Sequence, residues 1–276
     1  MTDIQIIQTL LREFPYALFG SVVAGILCAY LGVYVVKKRV VFVGATLTQV
    51  AIAGIAFAHL PGIGMNPYAG SLLFSLIAVL IFSQLLTNRQ IPTDSILGVS
   101  FVLAIALRIL LVQLSPAAEV AEIDALLKGD LLFVTSDQFL ILAGVTVVLL
   151  AVHLVFFKAF LFVSFDAETA STQGFRSGLW EFLFYLSVGI AVSVATRIVG
   201  DVFVFGFLVI PALSGLLVAR RVRNIFLAAL AFAVLPPFLG LYGAFKLDLP
   251  AGPSIVAVGG ILLLMTWGAR ALVHRR

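Results

Sequence analysis

Uncharged apolar runs of about 18 residues or more recur along the chain and are separated by short polar links; a run of that length crosses roughly 30 Å of hydrocarbon. Inside a bilayer the backbone must satisfy its own hydrogen bonds, and continuous runs of this kind suit helices, whereas a barrel needs short alternating segments. The pattern predicts spans near residues 15–36, 40–60, 67–87, 94–114, 138–158, 179–197, 199–219, 224–245 and 252–271. The expected fold is therefore an all-α polytopic membrane protein of about nine helices, with eight as the alternative count. The links are too short for a second soluble domain, so residues 1–276 are expected to form a single membrane domain.

Composition agrees with the pattern. Of 276 residues, 62% are apolar and 11% charged, against roughly 25% charged in an ordinary soluble domain. The net charge of +4 does not point to nucleic acid, because the basic residues sit beside the spans without interleaved aromatic or phosphate-reading patterns. Cys28 is the one cysteine and lies in the first span, so no disulfide framework exists. That span is too long for a signal-peptide core and lacks a basic leader, so it is expected to be retained.

Lys37, Lys38, Arg39, Arg89, Lys158, Arg176, Arg220, Arg221, Arg223, Arg270, Arg275 and Arg276 fall on one side of the nine-span model. Basic residues concentrate on the cytoplasmic side, so the N-terminus is expected outside and the C-terminus in the cytoplasm, in a multi-pass protein of the cell (inner) membrane. The other side holds Arg12, Lys128 and Lys246, with Glu119, Glu122, Asp124, Asp130 and Asp137 in its longest loop.

The most polar cytoplasmic stretch runs from Val163 to Gly178. It predicts a short helix outside the bilayer near 164–176, with Asp166 as cap, Glu168 at the positive end of the dipole and Gly174 as the left-handed stop. Such a helix can dock into a partner ATPase; a plain connecting loop is the alternative. The chain has no G-x-x-x-x-G-K-[ST] phosphate loop, so it is not expected to be an enzyme, and ATP hydrolysis would come from another chain.

The segment Phe165-Asp166-Ala-Glu168-Thr-Ala170-Ser-Thr-Gln-Gly174 resembles the coupling segment of the zinc and manganese (ABC-3) ABC transporter permeases, relatives of the vitamin B12 and siderophore permeases. In the right order, Val199-Gly200 through Gly206 to Pro211-Ala212 resembles the family's glycine-to-proline span, and Lys128-Gly129-Asp130 and Asp248-Leu-Pro250-Ala-Gly252-Pro253-Ser254 resemble two of its turns. The resemblance covers about residue 36 to the C-terminus. It implies a vitamin B12/metal importer permease-like bundle that works as a homodimer in the lipid bilayer, with two cytoplasmic ABC ATPase subunits and an extracytoplasmic solute-binding protein. No cofactor is expected. Asp166, Glu168, Ala170 and Gly174 would then couple to the ATPase.

The residues themselves admit packing roles as well. Pro211 lacks a backbone donor in mid-span and predicts a kink, useful to a gate and equally a purely structural bend. Gly200, Gly206 and Gly215, like Gly44, Thr48 and Ala51 in the second span, allow close helix approach. The second span also departs from the family. Members that move free zinc or manganese carry an aspartate and, four residues later, a histidine on one helical face; here those positions are Ala45 and Gln49. Alanine offers no lone pair and a neutral amide is a poor zinc ligand, though it suits harder cations or hydrogen-bonding solutes. A metal site is thus unknown, and His59, His153 and His274 do not replace it.

Intramembrane charge is costly and marks candidate pathway positions. Thr48, Gln49, Arg108, Arg197 and Asp201 are those candidates. Arg197 and Asp201 are four apart and would form an ion pair on one helical face unless residues 198–200 interrupt the helix. Arg108 would snorkel to the outer loop or meet an anionic substrate, and Asp94 caps its span. The leading expectation is the permease subunit of an ATP-driven importer of a divalent metal such as zinc or manganese. The alternative keeps the fold and moves a metal chelate or non-metal solute. An intramembrane enzyme or proton-coupled carrier would need converging ionisable groups, and these are scarce: His153 is the one mid-span titratable candidate besides the Arg197 and Asp201 pair.

Overall fold

A computed structural model describes residues 3–85, 92–116, 120, 131–165, 167–174 and 176–273. The expected turn at Lys128-Gly129-Asp130, the loop acids Glu119, Glu122 and Asp124, Arg89, Asp166 and His274 lie outside the described residues, as do the side chains of Asp94 and Glu168. The elements are α1 (Asp3–Arg12), α2 (Pro15–Lys37), α3 (Val41–Ala58), α4 (Pro67–Leu85), α5 (Thr93–Leu114), a 3-10 turn (Leu131–Phe133), α6 (Ser136–Val155), α7 (Phe157–Phe165), α8 (Ala167–Thr172), α9 (Ser177–Val199), α10 (Asp201–Val218), α11 (Val222–Leu247) and α12 (Ala251–Val273). Among the described residues nine helices are long and apolar enough to cross a membrane, matching the nine predicted runs to within a few residues.

The chain divides into two compact units. The first comprises residues 1–36, 125–144 and 198–276, and the second residues 37–124 and 145–197. Lipid tails are as apolar as leucine, so within each unit close packing and interhelical hydrogen bonds must hold the helices together.

In the first unit α10, α11 and α12 pack against one another. Gly32 on α2 meets the backbone of Leu208 on α10 so closely that a methyl group there would collide with the Leu208 carbonyl. A Cβ on Gly206 would come 2.9 Å from Val256, and one on Gly215 2.7 Å from the Ile225 carbonyl oxygen. Large rings also pack together in this unit. Tyr30 and Tyr34 share a 3.4 Å hydroxyl contact and both lie against Phe226, at 5.0 and 5.1 Å between centroids. Pro211 sits buried inside α10, and Pro236 and Pro237 inside α11.

Two features of this unit were not predicted from the apolar runs. The short helix α1 precedes the first span; its Ile6 and Leu10, four apart, are buried. It packs against α11, where Asp3 accepts hydrogen bonds from Tyr242 (2.7 Å) and Lys246 (2.9 Å). The Lys246 hydrogen bond is the main cause that holds the Asp3 carboxyl below its ordinary range. α11 ends at Asp248, which takes the left-handed conformation that aspartate tolerates better than most residues.

In the second unit α3 packs against both α4 and α5. The backbones of α3 and α4 touch at Gly54 and Gly70, where a methyl group on either glycine would strike the other's carbonyl. The fifth span ends at Val155, and a separate helix, α7, follows where the sequence suggested only a span end and a link.

Candidate transport site

The second unit gathers most of the polar candidates. On α3, Ala45 is 2% exposed, Thr48 is buried and returns its hydroxyl to the Ala45 carbonyl at 2.8 Å, and the half-buried Gln49 has its amide oxygen buried. Ala45 and Gln49 are one helical turn apart on one face, as expected of positions four apart. The neighbouring face, with Thr46 and Val50, opens instead on an apolar cavity of about 520 Å³ lined by α4 and α5. Among the described residues no group of three or more His, Cys, Asp or Glu side chains could hold a metal ion. His153 is fully buried and stacks on Phe160, 4.0 Å between centroids and 6° from parallel, while His59 closes the end of α3.

A polar seam between α4 and α9 was missed from sequence. Ser71 and Ser193 hydroxyls meet at 2.8 Å, and Ser71 also reaches the Ser193 carbonyl at 3.3 Å. At the N-terminal end of α4 the Arg197 guanidinium lies 4.3 Å from the centroid of the Tyr68 ring, a cation–π geometry that partly replaces lost hydration. Among the described residues the buried hydroxyls of Tyr68, Ser75 and Thr196 have no hydrogen-bond partner, an arrangement that is costly in an apolar surrounding and suits contact with water or a polar solute. The signal was present in the spacing: Tyr68, Ser71 and Ser75 repeat at three and four residues, as do Ser193, Thr196 and Arg197 within one turn.

Asp201 and Arg197 do not share a continuous helix. Gly200 interrupts the chain between α9 and α10 with φ 85° and ψ 162°, a conformation essentially confined to glycine. Asp201 then starts α10, its carboxylate accepting the Val202 amide hydrogen at 2.7 Å. The helix is thus interrupted between the two residues, the break considered from sequence. Arg108 is half-buried on α5, between exposed Leu107 and Ile109.

The polar segment after α7 forms α8, a helix of six residues that packs against α7. Ala170 is fully buried, and Gly174 has φ 86°, the left-handed stop anticipated for it.

These features define a multi-pass membrane protein, and comparison with known proteins gives its family. The chain belongs to the ABC 3 transport family, whose model matches residues 12–269. It is 25% identical to the manganese import system permease protein ScaB of Streptococcus gordonii over 260 residues, 93% of this chain and 92% of ScaB. It is 27% identical to a probable iron transport system membrane protein of Haemophilus influenzae over 270 residues, 95% and 93% of the two chains. The structure of PsaBC from Streptococcus pneumoniae in complex with Fab superposes with a TM-score of 0.84 at 23% identity, covering 96% of this chain and 95% of that one; this likeness shows the shared fold.

Proposed function

We propose that this protein is the membrane-spanning permease subunit of an ATP-driven ABC importer of a divalent metal ion, with manganese the first candidate. The observation that carries the proposal is the family match over residues 12–269 on a nine-helix membrane fold, supported by full-length relatives named for manganese and iron transport. The whole chain serves as one permease domain and works with a second copy of itself. An extracytoplasmic binding protein delivers cargo, and cytoplasmic ATPase subunits engage the segment near 164–176. Asp166, Glu168, Ala170 and Gly174 transmit the ATPase cycle, Thr48, Gln49, Arg108, Arg197 and Asp201 border the pathway, and Gly200, Gly206 and Pro211 let α10 bend or pack as access alternates. The N-terminus lies outside and the C-terminus in the cytoplasm.

Ala45 and Gln49 favour a second reading, in which the same machine moves a metal chelate or another hydrogen-bonding solute. The two readings separate in proteoliposomes containing the permease, its ATPase and its binding protein. ATP-dependent uptake of free manganese or zinc supports the first; uptake restricted to a chelated metal supports the second. Failure to assemble with any ABC ATPase would contradict both. Reporter fusions after Arg39, Arg176 and Arg223 should report cytoplasm, and fusions near Gly64 and Leu249 should report the outside; the opposite pattern would overturn the orientation.

A further inference from the structure

The second unit contains a basic cavity of about 450 Å³ that the transport reading does not use. It opens where five helices begin or end, at the link from α2 to α3 and at the ends of α5, α7 and α9. Among the described residues Lys37, Lys38 and Arg39 line it with one carboxylate, Glu181. That carboxylate is already engaged: Lys38, its side chain only 8% exposed, donates to Glu181 at 3.0 Å. Lys37 and Arg39 are exposed, and Lys37 lies 5.1 Å over the Phe165 ring. Among the described residues the cavity therefore keeps two cations beyond its internal ion pair, and Ser164 and Tyr185 add polar lining.

The backbone at this point is itself unusual. Arg39 has φ 57°, a left-handed conformation that a residue with a long side chain rarely adopts and that recurs at functional sites. The size lies within the roughly 300–1,000 Å³ of small-ligand sites. A compact anion that can accept from both an ammonium and a guanidinium is a phosphate group, which arginine binds through its fork and lysine as a point charge.

The second cavity tells which phosphate compound fits. The apolar cavity of about 520 Å³ lies in the same unit and shares two elements with it: Val40, just before α3, lines the basic cavity and Thr46 and Val50 of α3 the apolar one, while α5 contributes Thr93 to the former and Ser95, Leu103 and Leu107 among others to the latter. Its wall is made of side chains such as Phe82, Leu103 and Leu107. Basic pockets at the ends of membrane helices bind anionic lipid headgroups, and free phosphate has no use for an apolar groove. We propose that this face binds one anionic phospholipid, its phosphate held by Lys37 and Arg39 above the Lys38–Glu181 pair and an acyl chain lying along α3 and α5. This site is independent of the cargo carried. Because Ser164 and Phe165 enter the coupling segment, an occupied site would bear on the orientation of that segment.

Native mass spectrometry of the full-length protein, exchanged into mixed phosphatidylglycerol and phosphatidylcholine, tests the proposal. The wild type should retain phosphatidylglycerol at least tenfold in preference to phosphatidylcholine. Lys37→Gln with Arg39→Gln should abolish the preference, while the charge-conserving Lys37→Arg with Arg39→Lys keeps most of it. Ser100→Trp, which fills the apolar cavity without touching the cations, should weaken retention as well. Arg220→Gln with Arg223→Gln removes the same charge elsewhere and should leave retention intact. Equal retention in wild type and the Lys37/Arg39 double variant would overturn the proposal. So would displacement of the lipid by inorganic phosphate with Ser100→Trp silent, since the site would then serve free phosphate.

Discussion

The two compact units solve the same problem, holding apolar helices together in an apolar solvent, by different means. In the first, contact is nearly all shape: Gly32 against the Leu208 backbone, Gly206 against Val256, and rings of Tyr30, Tyr34 and Phe226 closing the gaps. In the second, shape is joined by polar chemistry, with Ser71 bonded to Ser193, Lys38 to Glu181, Arg197 over Tyr68, and three buried hydroxyls that have no hydrogen-bond partner among the described residues. A unit held mainly by shape is suited to act as a frame. One with buried polar groups is suited to meet water, cargo and a coupling partner, and its tolerance of substitution should differ accordingly.

The sharpest break in that contrast would come at α8. Ala170 is fully buried, so Ala170→Trp should leave membrane insertion intact and lower transport-coupled ATP hydrolysis by at least tenfold, with Glu168→Lys acting in the same direction without a bulky side chain. Normal ATPase assembly and transport in both variants would reduce the segment to a connecting loop.

Next in size are the close contacts. Gly54→Val forces a branched side chain against the Gly70 carbonyl, and overpacking of this kind costs about 1–3 kcal/mol; Gly243→Val, where nothing lies within 4 Å of the added Cβ, should change the thermal midpoint far less. Equal effects would remove the distinction between helix contacts and lipid-facing positions.

The interhelical hydroxyl pair is smaller. Ser193→Ala should destabilise by about 0.6 kcal/mol, the typical size of a hydrogen bond between membrane helices, and Ser71→Ala in the same background should add little, which a double-mutant cycle would measure. Smallest is the tie between α1 and α11. The Asp3 carboxyl is held below its ordinary range by its bond from Lys246, so its contribution is present above about pH 4, the unfolded value, and is lost as pH falls through the lower folded value. Asp3→Asn should remove that pH dependence of α1 docking, read by proteolytic protection of the N-terminal segment.

The spans and the short polar helix after α7 were legible because their signals are local: long uncharged runs, and a glycine at position 174 that turns left-handed. α1 was not, since ten residues with two buried apolar positions fall short of any span signal. Nor was the pairing of Lys38 with Glu181, 143 residues apart in the chain, because a single sequence does not say which spans become neighbours. The departure at Ala45 and Gln49 was legible by resemblance alone, and the structure adds that Gln49 buries its amide oxygen while Ala45 leaves no donor one turn away.

That departure is where the account is most exposed. Metal bound per protein, measured on the purified native permease and on Ala45→Asp with Gln49→His, tests it directly. The native protein should hold no zinc that depends on Gln49, whereas the double variant, with a carboxylate and an imidazole one turn apart, should gain measurable zinc and manganese binding. Tight zinc binding by the native protein that Gln49→Ala abolishes would contradict the claim that this permease moves its cargo past a neutral face of α3.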